Sequence, residues 1–221
     1  MEIHYDFSGQ TAIVTGGSRG IGRAIAAQFV RSGARVWIWD VDPVEIEGAH
    51  SLTVDVTKAG EIANALAQMA KQSLRIDILV NNAGYLGRYK PFAQFEASEW
   101  QHILQVNLVG VFEVTRQILP IMRDGAGLSI LLRLQARKGY PNLAAYSAAS
   151  AGVIAFTKAL SREVSDGGIR VNCVAPGPID TDLIRGLGHK VVDEMIAASP
   201  LKRLGSVAEV AGMVVWLCQR V

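Results

Sequence analysis

The chain has 221 residues, of which 50% are hydrophobic, and its 22 Lys or Arg against 20 Asp or Glu give a formal charge of +2. This length suits one domain with a sizeable core, and the near-neutral balance excludes a basic surface for nucleic acid or an anionic membrane. The two cysteines and four histidines lack the spacing of a metal site, so we expect no metal, reduced thiols and a cytoplasmic protein.

No membrane segment or leader is predicted. Residues 1–10 lack the charged-then-apolar order of a signal peptide, and no apolar run approaches the roughly 20 residues of a membrane helix.

Strand and helix patterns alternate along the chain, without repeats or an evident linker. Helices of about 10–20 residues separate the apolar runs, Gly33 ends the first helix, and Pro120 breaks one that begins around Asn107. The pattern predicts one α/β domain over residues 1–221, a three-layer Rossmann-like doubly wound parallel sheet with ligands at the carboxyl ends of its strands. The predicted strands are residues 12–15, 35–39, 51–54, 76–80, 128–132 and 170–174.

A glycine-rich loop follows the first predicted strand and opens the first helix. Such a loop lets backbone approach a pyrophosphate, which the unpaired N–H groups and positive end of the helix dipole favour. The alternative is a tight turn that binds nothing. The predicted cofactor-binding residues of this loop are Gly16, Ser18, Arg19, Gly20, Ile21 and Gly22.

Asp40 ends the second predicted strand, about twenty residues beyond the loop, where a carboxylate can accept hydrogen bonds from an adenosine ribose. Its charge would repel a 2′-phosphate, and Val41 supplies no cation, so NAD is expected rather than NADP, although Arg19 is a basic group that could receive the phosphate. Without the glycine loop, Asp40 would read as the first polar residue of a turn.

Four further motifs occur at predicted strand ends or in a helix. They are Asp55-Val56, Asn81-Asn82-Ala83-Gly84, Asn107 within Gln105-Val106-Asn107-Leu108, and Pro176-Gly177 followed by Ile179 and Thr181. Singly, each could be a turn, a cap or a buried amide. Together with the loop and Asp40, they make nearly the whole chain resemble the classical short-chain dehydrogenases/reductases.

The resemblance implies roles for these residues in binding a nicotinamide dinucleotide. It places Asp55 and Val56 at the adenine ring and gives the backbone carbonyl of Asn107 a proton-relay water. It implies that Asn82, Ala83 and Gly84 pass beside the adenosine and that Pro176, Gly177, Ile179 and Thr181 meet the nicotinamide carboxamide.

The family's catalytic tyrosine is matched by Tyr146, but the lysine expected four residues later is Ser150. Residues four apart are neighbours on a helix, so a lysine there would lower the tyrosine's pKa by its charge. Serine carries no charge, and an unperturbed tyrosine with a pKa of about 10 is phenolate in roughly one molecule per thousand at neutral pH. Alcohol oxidation, which needs a base, should suffer most.

Arg133 occupies the place of the family's catalytic serine, thirteen residues before Tyr146. An arginine there is a donor and a permanent cation that could lower the tyrosine's pKa, or it could simply face solvent. Lys138 is a second candidate for the missing ammonium. The segment 132–139 lacks the small residues usual in the family, and a reading-frame slip is one hypothesis for it.

The substrate is expected to be a small alcohol or ketone. The loop after Gly84 carries Tyr85, Arg88, Tyr89, Lys90 and Phe92, which would suit a polyol or an acidic carbonyl compound, or would form a solvated loop with anchoring aromatics. The predicted helix at 207–217 is followed in the family by a seventh strand and a tail, which this chain is expected to lack. The resemblance implies a homotetramer or dimer, which that strand would help to build.

Two functions therefore remain open at the sequence level. The first is an NAD(H)-dependent oxidoreductase that interconverts a secondary alcohol and a ketone with impaired turnover. The second is a catalytically inactive nucleotide-binding relative with a binding or regulatory role, because function depends on the site rather than on the fold.

Overall fold

The computed structural model describes residues 5–72, 75–131 and 139–219. Its strands are β1 (Thr11–Thr15), β2 (Arg35–Asp40), β3 (Ala49–Thr53), β4 (Ile76–Asn81), β5 (Met122–Leu131) and β6 (Arg170–Val174). The helices are α1 (Gly20–Arg31), α2 (Ala59–Ala70), α3 (Ala97–Leu104), α4 (Gly110–Ile118), α5 (Ala144–Glu163), α6 (Asp182–Arg185), α7 (His189–Ala198) and α8 (Val207–Cys218).

The strands form one parallel sheet in the order β3-β2-β1-β4-β5-β6. Strand order reverses between β1 and β4, and a parallel sheet of this kind binds ligands outside the carboxyl ends of the strands at that point. The predicted doubly wound Rossmann-like fold is confirmed.

Helices cover both faces of the sheet because its central strands are apolar on both faces. On β1, Ala12 and Val14 face the core beneath α1 and α8, whereas Ile13 faces the core beneath α2, α4 and α5. Successive side chains of a strand point to opposite faces, so this short run contributes to both cores. The three layers follow from these residues.

One predicted boundary is wrong: the helix that was expected to begin around Asn107 begins at Ala97. A π turn at Gln105–Val109 joins α3 to α4, so Asn107 lies in the middle of one long helical run. Pro120 does end it, within a 3₁₀ turn at Leu119–Ile121.

The fifth strand also begins earlier than predicted, at Met122, with a register irregularity opposite Ile76 and Ile78. Its predicted last residue, Leu132, lies outside the described residues. Gly33 follows the end of α1 as predicted, with a φ of 85° that favours glycine. Within the described ranges, none of the helices has the length and apolarity needed to cross a membrane.

Candidate active site

The glycine loop connects β1 to α1 and packs against the segment after β4. Gly16 has a φ of 65°, and a Cβ there would lie 2.7 Å from Cα of Ala83. A Cβ on Gly22 would overlap the carbonyl oxygen of Gly16 and Nδ2 of Asn82. Glycine is therefore required at both positions by the close approach of the backbone.

The side chains of Asn82 and Thr15 hold this packing in place. Asn82 Nδ2 donates to the carbonyl oxygens of Thr15, at 3.0 Å, and Gly16, at 2.7 Å. The hydroxyl of Thr15 accepts from the backbone N–H groups of Asn82 and Ala83, both at 3.0 Å. The Asn-Asn-Ala-Gly motif thus fixes the glycine loop to the end of β4.

The N-terminus of α1 faces a cavity of about 390 Å³ lined by Gly16, Arg19, Gly20, Ile21 and Gly22. Arg19 is the N-cap residue, its side chain makes no capping hydrogen bond, and the first turn carries no acidic residue. The first N–H groups of a helix have no intrahelical acceptor, so these amides and the helix dipole suit a phosphate. Ser18, also predicted at this site, does not line the cavity.

Asp40 lines the same cavity at the end of β2. Its carboxylate accepts from the N–H of Ser18 at 2.9 Å and from the N–H of Asp42 at 3.1 Å. A carboxylate oxygen has two acceptor positions, so capacity remains for ribose hydroxyls. The geometry agrees with the position expected for an adenosine ribose contact.

Asp55 and Val56 line the cavity beyond the end of β3, as the resemblance implies. Burial acts to raise the pKa of Asp55, but hydrogen bonds from the backbone N–H and hydroxyl of Thr57 and the nearby ammonium of Lys58 outweigh it and lower the pKa. The carboxylate is therefore ionised at neutral pH and holds the loop that follows β3.

Asn82, Ala83 and Gly84 also line the cavity, as does Thr181 on the loop after β6. Pro176, Gly177 and Ile179 do not line it. Ile179 is buried and pairs through a β-bridge with Gly205, which anchors the loop that carries Thr181. Of the four residues predicted at the nicotinamide carboxamide, the structure thus brings Thr181 to the cavity.

Several cavity-lining residues were not predicted as cofactor contacts. Val41 and Val54 adjoin the predicted Asp40 and Asp55, so their positions in sequence could have indicated them. His102 and Val106 are four residues apart on one helical face, which is recognisable only once the helix is known to begin at Ala97. The others are Trp39, Tyr85, Asp182 and Leu183.

Asn107 lies in the π turn beneath the loop after Gly84. Its Oδ1 accepts from the N–H of Tyr85 at 3.0 Å, and its Nδ2 donates to the carbonyl oxygens of Tyr85 at 2.7 Å and Ile103 at 2.8 Å. A π turn interrupts the regular ladder of a helix and is frequent at functional sites. The side chain of Asn107 therefore positions the loop that begins at Tyr85.

Tyr146 and Ser150 are one turn apart on α5, and both are buried, with exposed fractions of 5% and 3%. Tyr146 packs in a small apolar cluster with Leu86, Ile103 and Leu143, against which Leu183 also packs. Neither Tyr146, Ser150 nor Asn107 lines the cavity, whereas Leu183 belongs to both the cavity lining and the Tyr146 cluster. Arg133 and Lys138 lie outside the described residues.

The basic loop after Gly84 is held by an ion pair. Lys90 Nζ lies 2.5 Å from Glu99 Oε2, with both side chains 18% exposed, and it also lies over the ring of Phe95. The hydrogen bond from Lys90 lowers the pKa of Glu99. Lys90 is thus already paired, which favours the anchoring interpretation over recognition of an acidic substrate by this side chain.

Together these residues fit a dinucleotide. The cavity volume lies within the range of about 300–1,000 Å³ that is usual for small-molecule sites. The cavity is lined by the N-terminus of α1, by Asp40 at the end of β2 and by Thr181 on the loop after β6.

Comparison with known proteins gives concordant matches over almost the whole chain. A family model described as enoyl-(acyl carrier protein) reductase matches residues 16–220. The 2-dehydro-3-deoxy-L-rhamnonate dehydrogenase (NAD(+)) of a Sphingomonas strain is 34% identical over 96% of this chain and 88% of that protein.

Two solved structures from Brucella melitensis are similar. A short-chain dehydrogenase/reductase described as a glucose/ribitol dehydrogenase superposes with a TM-score of 0.91 at 32% identity, over 98% of this chain and 92% of the other. A 3-ketoacyl-(acyl-carrier-protein) reductase complexed with NADH gives 0.89 at 28% identity, over 96% and 91%.

Proposed function

This chain belongs to the short-chain dehydrogenase/reductase family, and we propose that it is an NAD(H)-dependent oxidoreductase that interconverts a secondary alcohol and a ketone. That it is an oxidoreductase follows from its relatives. The observation that carries the rest is the convergence of the α1 amides and the Asp40 carboxylate on one cavity. An anion-binding helix end beside a ribose-binding carboxylate suits an adenine dinucleotide without a 2′-phosphate.

Two further observations support NAD over NADP. Arg19, the basic residue that could receive a 2′-phosphate, has its guanidinium 3.5 Å from the carboxylate of Asp42. The Sphingomonas relative is named for NAD(+), and the Brucella reductase was solved with NADH.

In this proposal Tyr146 is the proton donor and acceptor. In ketone reduction the proton passes from its phenolic oxygen to the substrate oxygen, and in alcohol oxidation it returns. When bound, the nicotinamide supplies or accepts the hydride. Asn107 holds the loop at Tyr85 and, through its carbonyl, the water that returns the proton to solvent.

We propose that turnover is weak because Ser150 supplies no charge beside Tyr146. General acid–base catalysis works best when the pKa of the catalytic group is near the working pH, and a neutral neighbour does not move a tyrosine's pKa there. The buried serine also favours a second candidate function, a nucleotide-binding protein without turnover that serves as a binding or regulatory module.

The remaining proposals concern assembly and location. We propose a homodimer or homotetramer that acts on a small alcohol or ketone, with neither a nucleic acid nor a membrane as partner. A cytoplasmic location is supported by Cys173 and Cys218, which do not form a disulfide in the structure.

A turnover assay on the purified chain tests this function. NADH consumption is followed with a panel of ketones, and NAD reduction with a panel of polyols and other secondary alcohols. The expected result is slow turnover by the wild type and none by Tyr146→Phe, because the variant lacks the phenolic oxygen that transfers the proton. The NADH affinity of the variant should change by less than about twofold, because phenylalanine keeps the ring that packs in the apolar cluster. NADH binding without turnover on any substrate would favour the second candidate function.

A further inference from the structure

Arg19 carries the one permanent positive charge among the described residues that line the cofactor cavity. Three acidic residues line the same cavity, namely Asp40, Asp55 and Asp182. A guanidinium is always protonated and matches phosphate in geometry, so Arg19 is the lining side chain suited to pair with an additional phosphate.

Asp42 engages that side chain from outside the cavity. Its Oδ2 lies 3.5 Å from Nη1 of Arg19, and the two side chains are 54% and 75% exposed. Asp42 does not itself line the cavity, so its carboxylate acts on the cavity through the arginine.

Asp40 fixes the backbone that carries both members of the Arg19–Asp42 ion pair. One of its carboxylate oxygens accepts from the N–H of Ser18, next to Arg19, and the other from the N–H of Asp42. The glycine loop and the turn after β2 are thereby tied to the same carboxylate. The backbone next to Arg19 and the backbone of Asp42 are therefore held at one carboxylate, and the two side chains come within 3.5 Å of each other.

A 2′-phosphorylated cofactor would have to compete with Asp42 for Arg19. It would need to detach the guanidinium from one carboxylate while it approaches a second, Asp40, with its own negative charge. A cofactor with a free 2′-hydroxyl makes no such demand, because Asp40 can accept from the hydroxyl while Arg19 stays paired.

We propose that Asp42 is a positioning residue for cofactor choice: by pairing with Arg19 it keeps this cation from a 2′-phosphate and so disfavours NADPH relative to NADH. The inference rests on the proposed function, since it presupposes that the cavity binds a nicotinamide dinucleotide. Exposed ion pairs are weak, so Asp42 contributes a modest part of the preference and Asp40 the larger part.

The test is calorimetric titration of NADH and NADPH into wild type and Asp42→Asn. The expected result is an NADPH dissociation constant lowered about two- to fivefold, with the NADH constant essentially unchanged. Asp42→Ala serves as a second variant, because an asparagine amide oxygen can still accept from Arg19. Melting curves check that each variant is folded.

Two controls separate this inference from a general effect of charge. Glu45→Gln removes the same charge from an exposed position of the same connection and should leave both constants unchanged. Arg19→Ala combined with Asp42→Asn should abolish the gain for NADPH, because the freed cation is then missing.

Each outcome has a distinct meaning. An equal gain in Glu45→Gln, or a gain that persists without Arg19, would overturn the role of Asp42, as would no gain in either Asp42 variant. Failure of the folded wild type to bind NADH would instead overturn the proposed function.

Discussion

In the proposed function Ser150 limits Tyr146, because the two residues lie one turn apart on α5 and both are buried. In low-dielectric surroundings a charge next to a phenol has a larger effect on its pKa than at the surface. A serine there contributes volume and a hydroxyl, but no charge.

We predict that Ser150→Lys combined with Arg133→Ser raises turnover by about two orders of magnitude or more, because an ammonium lowers the pKa of Tyr146 and a serine hydroxyl can bind the substrate oxygen. Steady-state rates over a pH series measure this, and the rise of the alcohol-oxidation rate with pH, which follows deprotonation of Tyr146, should occur at lower pH. Ser150→Met with Arg133→Ser is the control for side-chain length without charge. No gain over this control would contradict the account of Ser150.

That the glycine loop and Asp40 lie at the cavity was predictable from sequence, because both follow strands whose carboxyl ends lie at one edge of the sheet. The pairing of Arg19 with Asp42 and of Lys90 with Glu99 was not. These partners lie far apart in sequence or on a loop, and long flexible side chains meet only where tertiary packing brings their backbones together. Nor does the sequence reveal that Tyr146 lies outside the cavity lining, in a cluster against which Leu183 packs.

Gly22, at the start of α1, lies where two backbone segments pack closely and must be glycine. Gly212, in α8, has no such close neighbour. Gly22 in α1 is enclosed by Gly16 and Asn82, but a Cβ on Gly212 in α8 would meet no atom within 4 Å. The same substitution should therefore have opposite effects in the two helices.

We predict that Gly22→Ala lowers the free energy of unfolding by about 1–3 kcal/mol through overpacking and weakens NADH binding by distorting the loop. Gly212→Ala should raise it by about 0.5–1 kcal/mol, because alanine loses less backbone entropy in a helix. Urea unfolding measures both, and calorimetry measures NADH affinity. Unaltered NADH binding by Gly22→Ala would contradict the structure of the loop.

At the start of α8, Ser206 and Glu209 form a capping box. Glu209 Oε2 accepts from the N–H of Ser206 at 2.6 Å, and Ser206 Oγ accepts from the N–H of Glu209 at 3.2 Å. Arg203 also donates to both carboxylate oxygens of Glu209. The hydrogen bonds from Arg203, and then those from Ser206, lower the pKa of Glu209 to about 2.

This shift predicts a pH dependence of stability. Because the pKa is lower in the folded state than its usual value of 4.5, the contribution of Glu209 is complete above that value and is lost as the pH falls towards 2. The melting temperature of Glu209→Gln should therefore lie below that of wild type at pH 7, and the gap should narrow at pH 3. A gap that stays constant, or one equal to that of Glu194→Gln on α7, would argue against the capping box as its cause.

The helices show where sequence patterns give boundaries and where they do not. The last helix was predicted at 207–217 and lies at Val207–Cys218, where the structure shows a capping box of Ser206 and Glu209 at its start. Residues 97–109 were not recognised as one run with α4, since the π turn interrupts the regular apolar spacing and Asn107 resembles a helix start.

At the scale of the whole molecule, the alternation of strands and helices was sufficient to predict the sheet and its two covered faces. Strands with apolar residues at every position have one stable environment, between two layers of helices. The sequence did not predict that large apolar side chains would be exposed on the outer surface of α8, because helical periodicity does not tell which face packs on the sheet. Met213 and Trp216 are 50% and 55% exposed there.

We predict self-association through a surface that includes this face, because adjacent exposed apolar side chains commonly mark contact sites. Light scattering should give a mass that is a multiple of the 23.8 kDa chain. Trp216→Glu with Met213→Lys should reduce that mass, whereas Lys190→Glu on α7 should leave it unchanged. A monomeric wild type at micromolar concentration would contradict the prediction.

We propose above all that this chain binds NAD(H) in the cavity at the carboxyl ends of β1, β2 and β4. Calorimetric titration of NADH into the purified, folded chain tests it most directly. We predict saturable binding of one NADH per chain, tighter than that of NADPH and weakened by Gly22→Ala. Absence of saturable NADH binding by the folded wild-type protein would contradict it.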